Sequence, residues 1–286
     1  MSSPLDWQVS FGHGVASGDP WPDGVLLWTR VTTGLPVVSV TWEVSRTLTF
    51  ERPVAAGMAL ATAGRDHTVK VPVTGLRPRT AYYYRFRVGG VVSETGRTTT
   101  APQDECDLLR FGVLRGQAHA QLAQRGGLDA VLQVGAVPTD KRMLARHLTN
   151  PDVRRLHAAH PVVVAGTAHL DWQPVRDGRR FRGLTFGRLV DVIVLDQRTG
   201  SDLEQREWLT EGVRDSDATW KLITANALDG DAVAEVLRET GEPNVVLISD
   251  AACEEDSGAV LEVTPAEVRV NGPAGRPVRV KPRSTP

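Results

Sequence analysis

Cysteine is scarce: Cys106 and Cys253 are the two in 286 residues. They sit far apart and in no metal-ligand spacing, which excludes a disulfide framework and a cysteine-based metal cluster. An oxidising compartment would let them pair, but two unrelated thiols is the simpler reading. Lysine is scarcer than arginine, 4 against 29, and 34 acids bring the net charge to −1. With no basic run and no positive field, the counterion-release drive for nucleic acid is weak, so no nucleic-acid partner is expected. No apolar run approaches the ~18 residues of a membrane-spanning helix. The first residues, Met1 to Trp7, lack a basic segment followed by an apolar one, so no signal peptide is expected and the chain as given reads as cytoplasmic. Also missing are a Gly-x-Gly-x-x-Gly turn, a phosphate-binding Gly-Lys-Ser/Thr loop and a Gly-x-Ser-x-Gly elbow.

What is present divides in two. The chain is 41% apolar, enough for a sizeable core and too much for disorder. Up to about residue 101 the pattern predicts strands: Gly24 to Val31, Val37 to Val44, Thr68 to Val73 and Thr80 to Arg87, rich in Val, Thr and aromatics and bounded by Gly, Pro or Asp. Alternation along the last of these puts Tyr82, Tyr84 and Phe86 on one face and Tyr83, Arg85 and Arg87 on the other. Short strands at this spacing predict a two-sheet sandwich of immunoglobulin or fibronectin type over residues 1–101. All three tyrosines fall here and are expected in the core and at its corner.

The polar stretch 102–107 is the expected linker. Residues 108–286 then alternate short buried strands with helical segments. The expected strands are Leu109 to Leu114, Ala130 to Val134, Pro161 to Ala165, Leu189 to Leu195, Trp220 to Thr224 and Asn244 to Ile248. Helices are expected over Asp202 to Val213, with Leu203, Trp208 and Leu209 facing inward, and over Asp231 to Thr240. The alternation predicts an α/β domain with helices covering a sheet. Val260 to Val263 and Glu267 to Val270 read as terminal strands, and the segment from Gly272 as a frayed tail.

Several of these segments carry a resemblance. Phe11-Gly-His-Gly-Val-Ala-Ser-Gly-Asp-Pro20, Gly24-Val-Leu-Leu-Trp-Thr-Arg-Val31 and Gly75-Leu-Arg-Pro-Arg-Thr-Ala-Tyr-Tyr-Tyr-Arg-Phe86 resemble the alkaline phosphatase D (PhoD-like) family. Further matches follow in order through Asn150 to His157, Phe186 to Leu189, Val194 to Arg198, Glu204 to Leu209 and Asn244 to Leu247. The resemblance covers nearly the whole chain. It implies an N-terminal β-sandwich followed by a metallophosphoesterase-type α/β sandwich. It also implies hydrolysis of phosphate mono- and diesters with bound iron and calcium, in a family often exported by the twin-arginine route.

At the metal ligands the resemblance fails. Two cations held close together need several anionic or lone-pair donors. Where the family has Ser-Cys-Gln, this chain has Arg115-Gly116-Gln117, so the thiolate is gone. The metal-bearing aspartate of Gly-Asp-Tyr-Ile-Tyr-Glu is Ala136 in Gly135-Ala136-Val137-Pro138-Thr139-Asp140. Trp-Asp-Asp-His-Glu becomes Gly166-Thr167-Ala168-His169-Leu170, and the late Gly-Asp-x-His becomes Ser249-Asp250-Ala251-Ala252. The connections 140–157, 169–186 and 228–244 are short, where the family carries ligand-bearing loops.

The surviving polar residues admit two readings each. His169 and Asp250 either hold a single divalent or ferric metal, with Asp171, Asp140 or Glu254 as third ligand, or are polar strand-end residues facing water. Asp196 and Arg198 form either an ion pair behind a strand or, through Arg198, a phosphate clamp. Arg115 either holds an anion where the family holds metal or is solvated. His13 reads as packing. The expectation is a PhoD-like protein that has lost its binuclear hydrolytic site and binds no resident cofactor. Its role is then noncatalytic or repurposed, with a small anionic ligand or a protein as partner. The alternatives are a reduced single-metal phosphoesterase and a metal-free reaction on Arg115, Asp196 and Arg198.

Overall fold

The computed structural model describes residues 9–134, 138–165, 169–176, 181–196, 203–225, 230–249, 258–271 and 278–280. Its first part is built of strands, with a short 3₁₀ turn at Ala63–Arg65. It runs β1 (Val15–Trp21), β2 (Gly24–Arg30), β3 (Val37–Ser45), β4 (Ala55–Thr62), β5 (Thr68–Val73), β6 (Ala81–Val88), β7 (Val91–Val92) and β8 (Gly96–Thr99). The second part opens with β9 (Leu109–Leu114), α1 (His119–Ala123), β10 (Ala130–Gln133), α2 (Lys141–Leu148), α3 (Pro151–Ala159) and β11 (Pro161–Val164). After a 3₁₀ turn at Leu170–Trp172 come β12 (Arg182–Phe186), β13 (Val190–Val194), α4 (Leu203–Arg214), β14 (Trp220–Ala225), α5 (Gly230–Thr240) and β15 (Val245–Ser249). The chain closes on β16 (Ala259–Val263), β17 (Val268–Asn271) and β18 (Val278–Val280).

Among the described residues, nine strands form one sheet in the order β18-β17-β16-β9-β10-β11-β1-β2-β5. The sheet passes across the 102–107 segment without a break, because β1 pairs in parallel with β11, Ser17 opposite Pro161 and Gly18 opposite Val162. Gly18 makes that approach possible: a Cβ there would lie 2.3 Å from the Pro174 carbonyl oxygen and 2.6 Å from that of Val162. A second sheet, β4-β3-β6-β7 with β8 on β6, covers the β1-β2-β5 end. Between them Val15, Val25, Leu27, Val69, Val71 and Val73 meet Val40, Val44, Tyr82, Tyr84 and Phe86. The alternation expected for β6 holds, since Tyr82, Tyr84 and Phe86 are buried while Tyr83, Arg85 and Arg87 are half-buried. Tyr82 sits at the corner, its hydroxyl accepting from the Arg77 N–H at 2.9 Å.

The third sheet, β12-β13-β14-β15, packs on the other end of the large one. Phe111, Val113, Leu132 and Val163 from the large sheet meet Phe186, Val192, Val194, Trp220 and Leu222. The Phe111 and Phe186 rings cross edge to face at 5.0 Å. Helices cover both outer faces: Leu122 of α1 and Leu156 of α3 lie on Val131 and Val162, while Leu209 and Val213 of α4 and Val233 and Val236 of α5 lie on Ile193 and Ile223. Both sheets are thus buried on two faces, which is why their central strands read as unbroken apolar runs.

Two expectations need correction. Leu203 does not face inward but is 73% exposed, because the buried stripe of α4 runs through Gln205, Leu209 and Val213 at four-residue spacing. The tail is not wholly frayed, since Val278–Val280 pairs antiparallel with β17. Among the described residues Cys106 is a buried thiol with no disulfide partner, and burial pushes its pKa up; Cys253 lies outside the described residues. In a Cys253→Ser variant, Cys106 is therefore expected to react with Ellman's reagent at least ~10-fold more slowly in buffer than in denaturant. Equal rates would show that the thiol is open to solvent.

Candidate functional site at the strand ends

β9, β10 and β11 run parallel, as do β13, β14 and β15. Their C-terminal ends converge on one edge, where sites in such sheets are built. Arg182 fixes the convergence. It pairs with Val194 at the end of β13, and its Nη2 donates to the Val164 carbonyl at the end of β11 at 3.0 Å.

Arg182 is also half of a buried ion pair. Its Nε and Nη2 donate to Asp19 Oδ1 at 3.0 and 2.8 Å, with Arg182 2% and Asp19 0% exposed. The other carboxylate oxygen of Asp19 accepts from the Arg176 N–H at 2.9 Å. Asp19 has φ 41°, in the left-handed region that aspartate tolerates better than most residues. The Gly-Asp-Pro of the N-terminal motif is thus a clamp across the strand-end edge, a role sequence reading missed. One signal was available: an aspartate inside a run of small, buried residues needs a cation.

The candidate ligands do not assemble. Asp140 caps α2, its Oδ1 accepting from the Met143 N–H at 2.9 Å. Asp171 pairs with Arg65 at 2.8 Å. His169, at φ 54°, sets its Nε2 against the Thr139 carbonyl at 2.9 Å, the contact of an Nε2–H donor. Among the described residues no three His, Cys, Asp or Glu side chains lie where they could hold a metal ion, so those residues do not fit the iron and calcium centre implied by the resemblance. Asp250, Glu254, Arg198, Ala136, Thr167, Ala168 and Ala252 lie outside the described residues.

Asp196 is 1% exposed at the end of β13, and its N–H donates to Gln205 Oε1 at 2.7 Å, tying the strand end to α4. Arg115 follows β9 and is only partly exposed. Its Nη1 is sealed from solvent and has no hydrogen-bond partner among the described residues. His13 packs as expected, edge to face on Trp172 at 5.4 Å. Burial, with help from Arg30 and Arg154, holds its pKa down at about 4. Arg30 lies over the same Trp172 ring at 4.9 Å, and Trp172 Nε1 donates to Asp66 at 3.1 Å. This stack pins the 3₁₀ turn behind His169 against the β1-β2 end of the sheet.

A cluster of histidines, absent from the sequence reading, lies behind the same edge. His119 of α1 and His147 of α2 meet edge to face at 5.4 Å. His157 of α3 and His147 line a small cavity with Gln133, Leu144, Leu148, Val164, Trp172 and Gln173.

Comparison with known proteins finds likeness both in sequence and in fold. Residues 4–102 match the family described as PhoD-like phosphatase, N-terminal domain. A stretch of 100 residues is 42% identical to alkaline phosphatase D of Bacillus subtilis (strain 168), covering 32% of this chain and 17% of that protein. A solved structure of PhoD superposes with a TM-score of 0.80 at 18% identity, over 98% of this chain and 90% of that one. Purple acid phosphatase PPD1 from yellow lupin (Lupinus luteus) seeds superposes with a TM-score of 0.65 at 8% identity, over 94% and 73%. The fold is therefore that of PhoD and, more distantly, of a purple acid phosphatase. In sequence the likeness is to the N-terminal domain of PhoD-like phosphatases, over residues 4–102, and the chain spans less than a fifth of the curated relative it matches.

Proposed function

We propose that this chain is a PhoD-like protein that has lost binuclear, metal-dependent phosphoester hydrolysis and serves a noncatalytic or repurposed binding role. One observation carries the reading: the described carboxylates proposed as ligands at the strand ends are committed elsewhere, Asp140 to a helix cap and Asp171 to Arg65. The sequence supports it independently, with Gly116, Ala136, Thr167, Ala168 and Ala252 at family donor positions. Losing donors while keeping the strands removes the chemistry and spares the scaffold. In this reading residues 1–101 are an immunoglobulin-like unit and 108–286 a metallophosphoesterase-like one, a division supported by the family match ending at residue 102.

Elemental analysis of protein grown in iron- and calcium-replete medium is expected to find well under one metal per chain, with no turnover of a chromogenic phosphate ester. Stoichiometric metal with turnover would overturn the proposal. A second reading, a single metal on His169 and Asp250, is favoured by the Nε2–H to Thr139 carbonyl contact. Metal-binding histidines commonly orient in this way, leaving the other nitrogen free to ligate. It predicts turnover that disappears in both His169→Ala and Asp250→Ala.

A further inference from the structure

The histidine cluster has no part in the proposed function. Its members come from three helices: His119 opens α1, His147 lies in the last turn of α2 and His157 in the last turn of α3. His119 is 3% and His157 7% exposed, and His147 is half-buried. The surroundings offer little countercharge. Asp152 is the acid that acts on His119, and it is already engaged by Arg155 at 3.1 Å. The α2 helix carries Lys141, Arg142 and Arg146 and no acid. Lys141 is held by Asp66, and Arg154 of α3 is spent on Glu94 at 3.0 Å. From the sheet side the cavity presents Gln133 and Val164, which are uncharged. Beyond it, Asp171 is taken by Arg65.

We infer that His119, His147 and His157 form an acid-operated latch that releases α2 from the strand-end edge. The rings sit together only while neutral. A proton on any of them places a cation in a buried site beside two other imidazoles and a basic helix. Burial, reinforced by the neighbouring imidazoles, lowers His119 to about 4 and His157 to about 3, and burial lowers His147 as well.

The sign follows from the direction of these shifts. The closed form is fully favoured above the ordinary histidine pKa of 6.5. That preference is lost as pH falls toward the lowered values, because opening lets the imidazoles take up protons. The weak point is α2. It rests on Trp28, Val153 and Trp172 through Leu144 and Leu148, with the half-buried Ala145 beside them, and its N-terminus holds Thr139, the carbonyl on which His169 is set. Releasing α2 therefore frees His169 from the Thr139 carbonyl.

Hydrogen exchange on the whole chain tests this, with rates corrected for the intrinsic effect of pH. At pH 5.5, releasing His119 or His157 favours opening by about tenfold each, and releasing both by about a hundredfold. Protection of the Lys141–Leu148 amides is expected to fall by at least ~10-fold between pH 7.5 and 5.5, while amides of β10 and β13 keep theirs. In His147→Gln, which replaces a half-buried ring by an amide that does not titrate, the fall is expected to shrink by at least ~2-fold. His160→Gln, which alters a buried histidine outside the cluster, should leave it unchanged. Parallel loss in α2, β10 and β13 would mean global acid unfolding and overturn the latch. So would unchanged α2 protection, or an undiminished fall in His147→Gln.

Discussion

Asp19→Ala is expected to cost about 3–5 kcal/mol, read as a lowered urea midpoint at constant slope. The loss exceeds that of an ordinary ion pair because of where the partner is left. Arg182 is 2% exposed, and without Asp19 its guanidinium keeps the Val164 carbonyl as its described acceptor. Surface pairs such as Arg155–Asp152 are worth a fraction of this. A companion variant separates a stranded charge from lost packing. Asp19→Asn with Arg182→Met removes both charges and keeps a side chain suited to φ 41°, so it should be less destabilised than Asp19→Ala. A loss under about 1 kcal/mol in Asp19→Ala would show that the clamp contributes little.

Gly18→Val should be comparably severe, at about 3 kcal/mol or more, because overpacking against backbone finds no flexible side chain to yield. The added Cβ meets two carbonyl oxygens, of Pro174 and Val162, well inside contact distance. The seam between β1 and β11 must then part, and the measurement is again the denaturant midpoint, with exchange of β11 amides as the local reporter. Gly212 is the control: it lies in α4 with open space around its Cβ position, so Gly212→Ala should be neutral or slightly stabilising. If Gly18→Val kept the wild-type midpoint, β1 would not be packed as described.

Much of the fold was legible because burial on two faces leaves a strong mark. Strands such as Val190–Val194 and Pro161–Val164 are short apolar runs, and the β6 alternation follows from one face packing on a core and the other meeting solvent. β1 was not read as a strand. Its sequence, Val-Ala-Ser-Gly-Asp-Pro-Trp, has neither alternation nor β-branched residues beyond Val15; it is a strand because its small residues fit between β2 and β11, a tertiary reason that no local propensity carries. The site was legible only in its losses. Gly116 and Ala136 can be read against the family pattern, but the uses to which Asp140, Asp171 and His169 are put depend on partners such as Met143, Arg65 and Thr139, the last two of which lie on other segments. The histidine cluster was invisible for the same reason, since residues 119, 147 and 157 meet only once three helices are laid on one sheet.

The parallel pairing of β1 with β11 has a consequence for synthesis. As the chain leaves the ribosome, β1 gains one neighbour in β2 almost at once, yet its other edge stays bare until residues 161–164 emerge. Through that interval the nascent chain carries an open strand edge that invites mispairing. This protein should therefore be most prone to aggregate when translation stalls between its two halves.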